Sequence, residues 1–159
     1  MSKGIMRLHE EFKYIKKTGF LANIGGSAGP INKDYLHWKA CFLGPKDTPY
    51  EGGYYFIEIK FKYDYPDSPP LVQMRTPTYH PNINNTIGHI CSSYIFNWKP
   101  TNNIVGIIYM AWSILAEGNP QSAYMREDKE KALKFKELYA NENQNYDWNN
   151  SWNKGWSIE

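Results

Sequence analysis

The hydrophobic positions of the chain change their period twice, which divides it into a helical, an extended and a second helical stretch. Near the N-terminus, apolar residues three and four apart predict an amphipathic helix over about residues 4–17, with Ile5, Leu8, Phe12 and Ile15 on its buried face. The segment GGSAGP at 25–30 then predicts a break in regular structure.

The middle of the chain alternates apolar and polar residues, which is typical of strands with one buried face. Three strands are predicted, at Tyr35–Leu43, Tyr54–Lys60 and Leu71–Met74. Turn sequences separate them, GPKDTPYEGG at 44–53 and YPDSPP at 65–70. Consecutive strands with short links favour an antiparallel meander.

The helical period returns after Pro100. Apolar residues cover most of one predicted helix, which indicates a central, largely buried position: Ile104, Ile107, Ile108, Ala111, Trp112, Ile114 and Leu115. The segment 117–120 ends this helix, and Gln121 and Ser122 open another. The apolar stripe of that last helix is predicted at Ala132, Phe135, Leu138 and Tyr139.

The order helix, strands, helices predicts an α+β fold. We expect one domain over residues 1–140 and a Trp- and Asn-rich tail over 141–159, packed on the core. In that tail Trp148, Trp152 and Trp156 recur every four residues, so a helix would place them on one face. We expect them to pack on the helices of the domain; a docking strip for a partner is the alternative.

Composition and charge narrow the possible functions. The 159 residues carry a net charge of +2, too small to predict binding to nucleic acid or to an anionic membrane. No segment has the apolar length of a signal peptide core or a membrane span. We expect a soluble monomer in the cytoplasm, the nucleus or both, or in the host cytoplasm if the chain is viral. No metal or cofactor is expected.

Two cysteines are too few for a disulfide framework, so each is considered alone. Cys41 lies within an alternating strand pattern, which indicates a packing role. Cys91 ends the stretch YHPNINNTIGHIC, which begins at Tyr79 and whose turn residues suggest a rigid loop. A thiol is strongly nucleophilic even when only a small fraction is ionised.

The loop before Cys91 is compatible with a catalytic role or with a purely structural one. Pro81 fixes its own φ and biases His80 toward extended geometry, while Gly88 can adopt positive φ. Such stiffness would help to hold an amide for a developing oxyanion, and Asn82 is the candidate. A simple turn beside a buried thiol, with His80 as a structural hydrogen-bond partner, fits the same stretch.

The order of several motifs along the whole chain distinguishes between these interpretations. Pro-Tyr-Glu-Gly-Gly, Tyr-Pro-x-x-Pro-Pro, His-Pro-Asn-Ile, Gly-x-Ile-Cys and Trp-x-Pro follow one another at 49–53, 65–70, 80–83, 88–91 and 98–100. From its first helix to about Tyr139 the chain resembles the ubiquitin-conjugating enzymes, the E2 family.

The resemblance implies a fold of an N-terminal helix, a four-stranded antiparallel meander, a loop holding the cysteine, and C-terminal helices. It places the first strand at Leu21–Gly25. It also implies that Cys91 carries ubiquitin or a similar modifier as a thioester received from an activating enzyme. Asn82 would stabilise the oxyanion or hold the loop that does so, with His80, Pro81 and Gly88 supporting it.

The same resemblance implies protein partners: the activating enzyme, a ligase and a substrate. Two loops would face the ligase, with Tyr65, Pro66 and Asp67 in one and Trp98, Lys99 and Pro100 in the other. Many family members have an apolar residue at the position of Asp67, so common ligases would be disfavoured because burying an unpaired carboxylate is costly.

The positions that help an incoming lysine also depart from the family pattern. Many members have a carboxylate two residues after the cysteine and another after the central helix. Here Ser93 and Ser122 stand in those places as possible acceptor-positioning residues. We therefore expect slower unassisted transfer to free lysine. Three alternatives are a carrier of another modifier, a catalytically silent binding module, and a cysteine hydrolase using Cys91 and His80.

Overall fold

The computed structural model describes residues 2–84, 87–117, 125–142 and 144, with only the backbone for 125–128. Its helices are α1 (Lys3–Thr18), α2 (Ser93–Phe96), α3 (Ile104–Ala116) and α4 (Met125–Tyr139). Its strands are β1 (Ser27–Ile31), β2 (Asp34–Leu43), β3 (Tyr54–Lys60) and β4 (Leu71–Met74).

The first helix forms where the sequence predicts it and is capped at both ends. The Ser2 hydroxyl accepts a hydrogen bond from the Ile5 amide at 3.1 Å, which satisfies one of the free amides of the first turn. Gly19 ends the helix at φ 60°, and its amide donates to the Ile15 carbonyl at 3.1 Å. Of the predicted apolar face, Leu8 is fully buried and Ile15 nearly so, whereas Ile5 and Phe12 are half-buried.

The described strands form one antiparallel sheet in the order β1-β2-β3-β4, which confirms the predicted meander. The alternation of β2 places Trp38, Ala40 and Phe42 in the core, each at most 2% exposed. Cys41 lies on the other face, half-buried, with its Sγ 3.2 Å from the Ser27 Oγ. Its position agrees with a packing role.

The first strand is the element that the sequence placed wrongly. A 3-10 helix at Phe20–Ile24 occupies the predicted strand segment and ends at Gly25, where φ is 63°. The segment GGSAGP, predicted as a break, supplies most of β1 instead. As an edge strand β1 tolerates a proline, and its register shifts between Pro30 and Ile31.

The α3 helix packs at the centre of the core, as its apolar pattern predicts. Four of its side chains are completely buried, namely Ile104, Ile107, Ile108 and Leu115. The predicted stripe of α4 is only half correct, because Ala132 and Phe135 are buried whereas Leu138 is 56% exposed and Tyr139 37% exposed. Leu138 lies about 120° around the helix from Ala132, since each residue turns it by about 100°.

The Gln144 side chain joins the start of β3 to the segment that follows β4. Its side-chain amide donates to the Tyr54 carbonyl at 2.8 Å, and its oxygen accepts from the Thr76 hydroxyl at 2.5 Å. The three tryptophans of the predicted tail lie outside the described residues, so their packing stays a prediction.

A half-buried carboxylate, Glu11, joins α1 to two other parts of the fold. It accepts hydrogen bonds from the Tyr65 hydroxyl at 2.6 Å and from the Ile104 amide, at the start of α3, at 2.7 Å. Arg7 lies 3.4 Å from it and donates to the carbonyls of Pro100 and Asn102. Burial raises the pKa of Glu11, and these hydrogen bonds and Arg7 offset part of that rise.

We expect Glu11→Ala to lower the free energy of unfolding by about 2–4 kcal/mol, because it leaves a buried amide, a buried hydroxyl and Arg7 without their shared acceptor. Urea denaturation measures the change. The adjacent Glu10→Ala is the matched control, since Glu10 is 73% exposed and pairs with the equally exposed Lys13; its cost is expected below about 0.5 kcal/mol. Equal costs would show that Glu11 does not join these elements.

Candidate functional site

The loop between β4 and α2 is a small hairpin. Ile83 and Ile90 pair across it, and both side chains are buried. At its tip the Asn84 amide donates to the His89 carbonyl and the Gly88 amide donates to the Asn84 carbonyl, each at 2.9 Å. These cross-strand bonds give the predicted rigid turn a specific form.

The hairpin is also attached to the edge of the sheet. The Met74 amide donates to the Gly88 carbonyl at 2.7 Å, and the Gln73 side chain donates to the Ile87 carbonyl at 3.0 Å. Gly88 has φ 76°, so the positive φ that its residue type allows is present. The sheet thereby fixes the strand that leads to Cys91.

Cys91 and Asn82 lie directly opposite each other at the open end of this hairpin. The Cys91 amide donates to the Asn82 carbonyl at 2.8 Å, and both residues are exposed. A backbone hydrogen bond thus brings together the candidate nucleophile and the candidate oxyanion donor. Residue types alone indicated each residue separately; the pairing comes from the hairpin.

His80 occupies a structural position and not that of a base. It is 8% exposed, and its Nδ1 accepts a hydrogen bond from the Asn82 amide at 3.0 Å. Burial lowers the pKa of His80, and an interaction with the main chain of Ile114 offsets part of that shift. A neutral imidazole that already accepts this bond supports the turn, as does the exposed Pro81 beside it.

The two predicted ligase-facing loops are joined to each other. The Trp98 indole donates to the Pro66 carbonyl at 2.7 Å, and its ring lies 6.1 Å from that of Tyr65. Tyr65 and Pro66 are buried, so they support this surface and do not form part of it. The side chains available to a partner are exposed, namely Asp67, Lys99 and Pro100.

A groove of about 380 Å³ lies between α2 and α3 and begins at Ser92, the residue after Cys91. Ser92, Ser93 and Tyr94 line one side. The other side is lined by Gly106, Tyr109, Met110, Trp112, Ser113, Ile114 and Glu117. Ser93 is exposed at its edge; Ser122 lies outside the described residues. Tyr94 and Gly106 were not predicted as site residues, because no local sequence pattern marks a contact between two elements.

Comparison with known proteins agrees with this geometry. A family model described as ubiquitin-conjugating enzyme matches residues 7–147, which is more than half of the chain. The chain belongs to the ubiquitin-conjugating enzyme family. Among solved structures, it is similar to the E2 domain of a Toxoplasma gondii ubiquitin conjugating enzyme. That match has 27% identity and a TM-score of 0.75, covering 86% of this chain and 98% of that one.

The family assignment confirms the predicted α+β fold and the resemblance on which it rested. In the part of the chain that the structure describes, no three metal-binding side chains cluster. None of the helices seen there has the length and apolar character needed to cross a membrane.

We expect the protein to lose stability in acid partly through His80. The pKa of His80 in the folded protein lies below the ordinary value of 6.5. As the pH falls through about 6.5, the unfolded chain therefore binds a proton at His80 more readily than the folded protein does, which favours unfolding. The stabilisation is present above that pH and is lost below it. The variant His80→Asn keeps an acceptor for the Asn82 amide and does not titrate.

Urea denaturation at pH 7.5 and pH 5.5 compares the two proteins. The free energy of unfolding should fall less in His80→Asn than in the wild type over this interval. An identical fall in both would contradict a buried, neutral His80.

Proposed function

We propose that the protein is a ubiquitin-conjugating enzyme that accepts ubiquitin as a thioester on Cys91 and passes it to a lysine of a substrate or a cysteine of a ligase. The observation that supports this most strongly is the exposed Cys91 held opposite Asn82 by the amide-to-carbonyl bond of 2.8 Å, in a chain of this family. A cysteine with only a packing role would be expected to be buried, whereas Cys91 is exposed.

The first chemical step is a thioester exchange. The Cys91 thiolate attacks the carbonyl carbon of the ubiquitin thioester on the activating enzyme, a new C–S bond forms, and the enzyme's thiolate leaves. ATP is consumed upstream by the activating enzyme, so this chain needs no cofactor of its own. The exposed position of Cys91 at the mouth of the hairpin permits the approach of a protein-bound thioester.

In the second step a deprotonated lysine amine attacks the same carbonyl carbon. The C–N bond forms, the C–S bond to Cys91 breaks, the sulfur leaves as a thiolate and the amine loses a proton to solvent. Negative charge builds on the carbonyl oxygen in the tetrahedral intermediate, and a nearby amide donor stabilises it. The exposed side chain of Asn82 is our candidate donor.

The surface around this site suggests which acceptors and ligases suit it. Ser93 offers a hydroxyl in place of a carboxylate, so it attracts a lysine ammonium only weakly. Transfer to free lysine should be slow without a ligase or substrate that positions the amine. The exposed Asp67 favours a ligase that presents a basic side chain at this point.

Charging tests the proposal directly. With an activating enzyme, ATP and ubiquitin, the wild type should form an adduct that a thiol reductant removes. Cys91→Ser should form a reductant-resistant ester and Cys91→Ala should form nothing. Cys41→Ser should charge normally, because Cys41 is half-buried against Ser27 in the pairing of β1 with β2. Gel mobility with and without reductant reports each result. If no adduct forms with ubiquitin or another ubiquitin-like modifier, the proposal is wrong.

Replacing Asn82 separates charging from transfer. Asn82→Ala keeps the backbone carbonyl that binds the Cys91 amide, so charging should be nearly unchanged. Loss of an oxyanion donor should slow single-turnover discharge to lysine about 10²-fold. Asn84→Ala on the same hairpin is the comparison: it also loses a side-chain amide, but one that accepts from Ile87 at the tip. Discharge of Asn82→Ala at the wild-type rate would exclude the donor role.

A further inference from the structure

Tyr94 is attached to the start of α3 although it follows Cys91 by only three residues. Its hydroxyl accepts a hydrogen bond from the Asn103 amide at 3.3 Å, and its carbonyl accepts from the Asn102 side chain at 3.4 Å. Its ring meets Trp98 edge-on, 5.9 Å between centroids. Three contacts therefore join this residue to the segment 98–103.

The Tyr94 ring can pack over residue 106 of α3 because that residue is a glycine. A Cβ at Gly106 would lie 1.9 Å from the Tyr94 Oη and 2.7 Å from its Cζ, so no other residue fits while the ring is there. Within a helix glycine is less favourable than alanine, so its use in the first turn of α3 needs a local reason. The inserted Tyr94 side chain supplies that reason.

The short α2 helix depends on such contacts. It has a single turn, Ser93–Phe96, capped by the Ser92 hydroxyl, which accepts from the Tyr94 amide at 3.1 Å. A helix of that length does not form without external support. The hairpin fixes Cys91 from the N-terminal side, and the contacts of Tyr94 fix the chain just beyond it.

We propose that Tyr94, inserted over Gly106, is a positioning residue that holds the Cys91 segment in the geometry required for acyl transfer. This inference rests on the proposed conjugating function. Tyr94 would act through the backbone and would not touch the reacting atoms. The thioester carbon must lie where Asn82 can stabilise its oxygen, and small displacements at such a site have large effects on rate.

The test uses the full chain with Tyr94→Ala, Gly106→Ala and the double variant. Each single variant should slow single-turnover discharge to lysine about tenfold at saturating lysine, with the lysine concentration at half-maximal rate unchanged. The double variant should be no slower than either single one, because both remove the same contact. Multiplied effects in the double variant would show that Gly106→Ala acts by another route and would overturn the proposal.

A conservative variant and a matched control separate positioning from general damage. Tyr94→Phe keeps the ring over Gly106 and should discharge within about threefold of the wild type. Gly29→Ala adds a Cβ with ordinary 3.8 Å contacts to Phe12, so it should leave discharge unchanged. If Tyr94→Phe were as slow as Tyr94→Ala, packing of the ring would not be the cause.

Hydrogen exchange tests the inference without any modifier. The Phe96 and Asn97 amides donate to the Ser92 and Ser93 carbonyls at 3.1 and 2.8 Å. In Tyr94→Ala they should exchange at least about tenfold faster while amides of β2 and β3 are unchanged. Unchanged exchange in α2 would overturn the proposal even if the variant were slow. If the wild type fails to charge while Tyr94→Ala still shows this faster exchange, only the conjugating function is refuted.

Discussion

The hydrogen bond from the Cys91 amide to the Asn82 carbonyl aligns the candidate nucleophile with the candidate oxyanion donor. It forms because Ile83 and Ile90 bury their side chains and pair, which aligns the residues just outside them. The edge of β4 then fixes the hairpin through Gly88 and Ile87. Ordinary strand pairing thus places Cys91 opposite Asn82, and both residues are exposed.

A second set of contacts relates this site to the rest of the molecule. Glu11 binds the start of α3 and the Tyr65 loop, and Arg7 binds the segment after Trp98. The Trp98 loop is in turn joined to Pro66 and to Tyr94. The first helix, the two predicted ligase-facing loops and the chain after Cys91 therefore share one continuous network of contacts.

Sequence patterns predicted those elements whose own residues determine them. The apolar residues of β2 alternate because one of its faces packs in the core, and α3 is apolar on most sides because it is central. The strand β1 escaped this reasoning because its partner β2 supplies its hydrogen bonds, so Gly29 and Pro30 can occupy an edge that their own propensities disfavour. The contact of Tyr94 with Gly106 was likewise not predicted, because it joins two elements that no local sequence pattern relates.

The serine pair after Cys91 has two different physical explanations. Ser92 caps α2 through its hydroxyl, a role that requires a short side chain with an acceptor oxygen. Ser93 stands exposed at the first position of that helix, where an acidic side chain would be favoured by the helix dipole. The fold therefore accounts for Ser92 and does not require a serine at 93. In the proposed function, the absence of a carboxylate at 93 weakens the attraction for an acceptor lysine that approaches the groove.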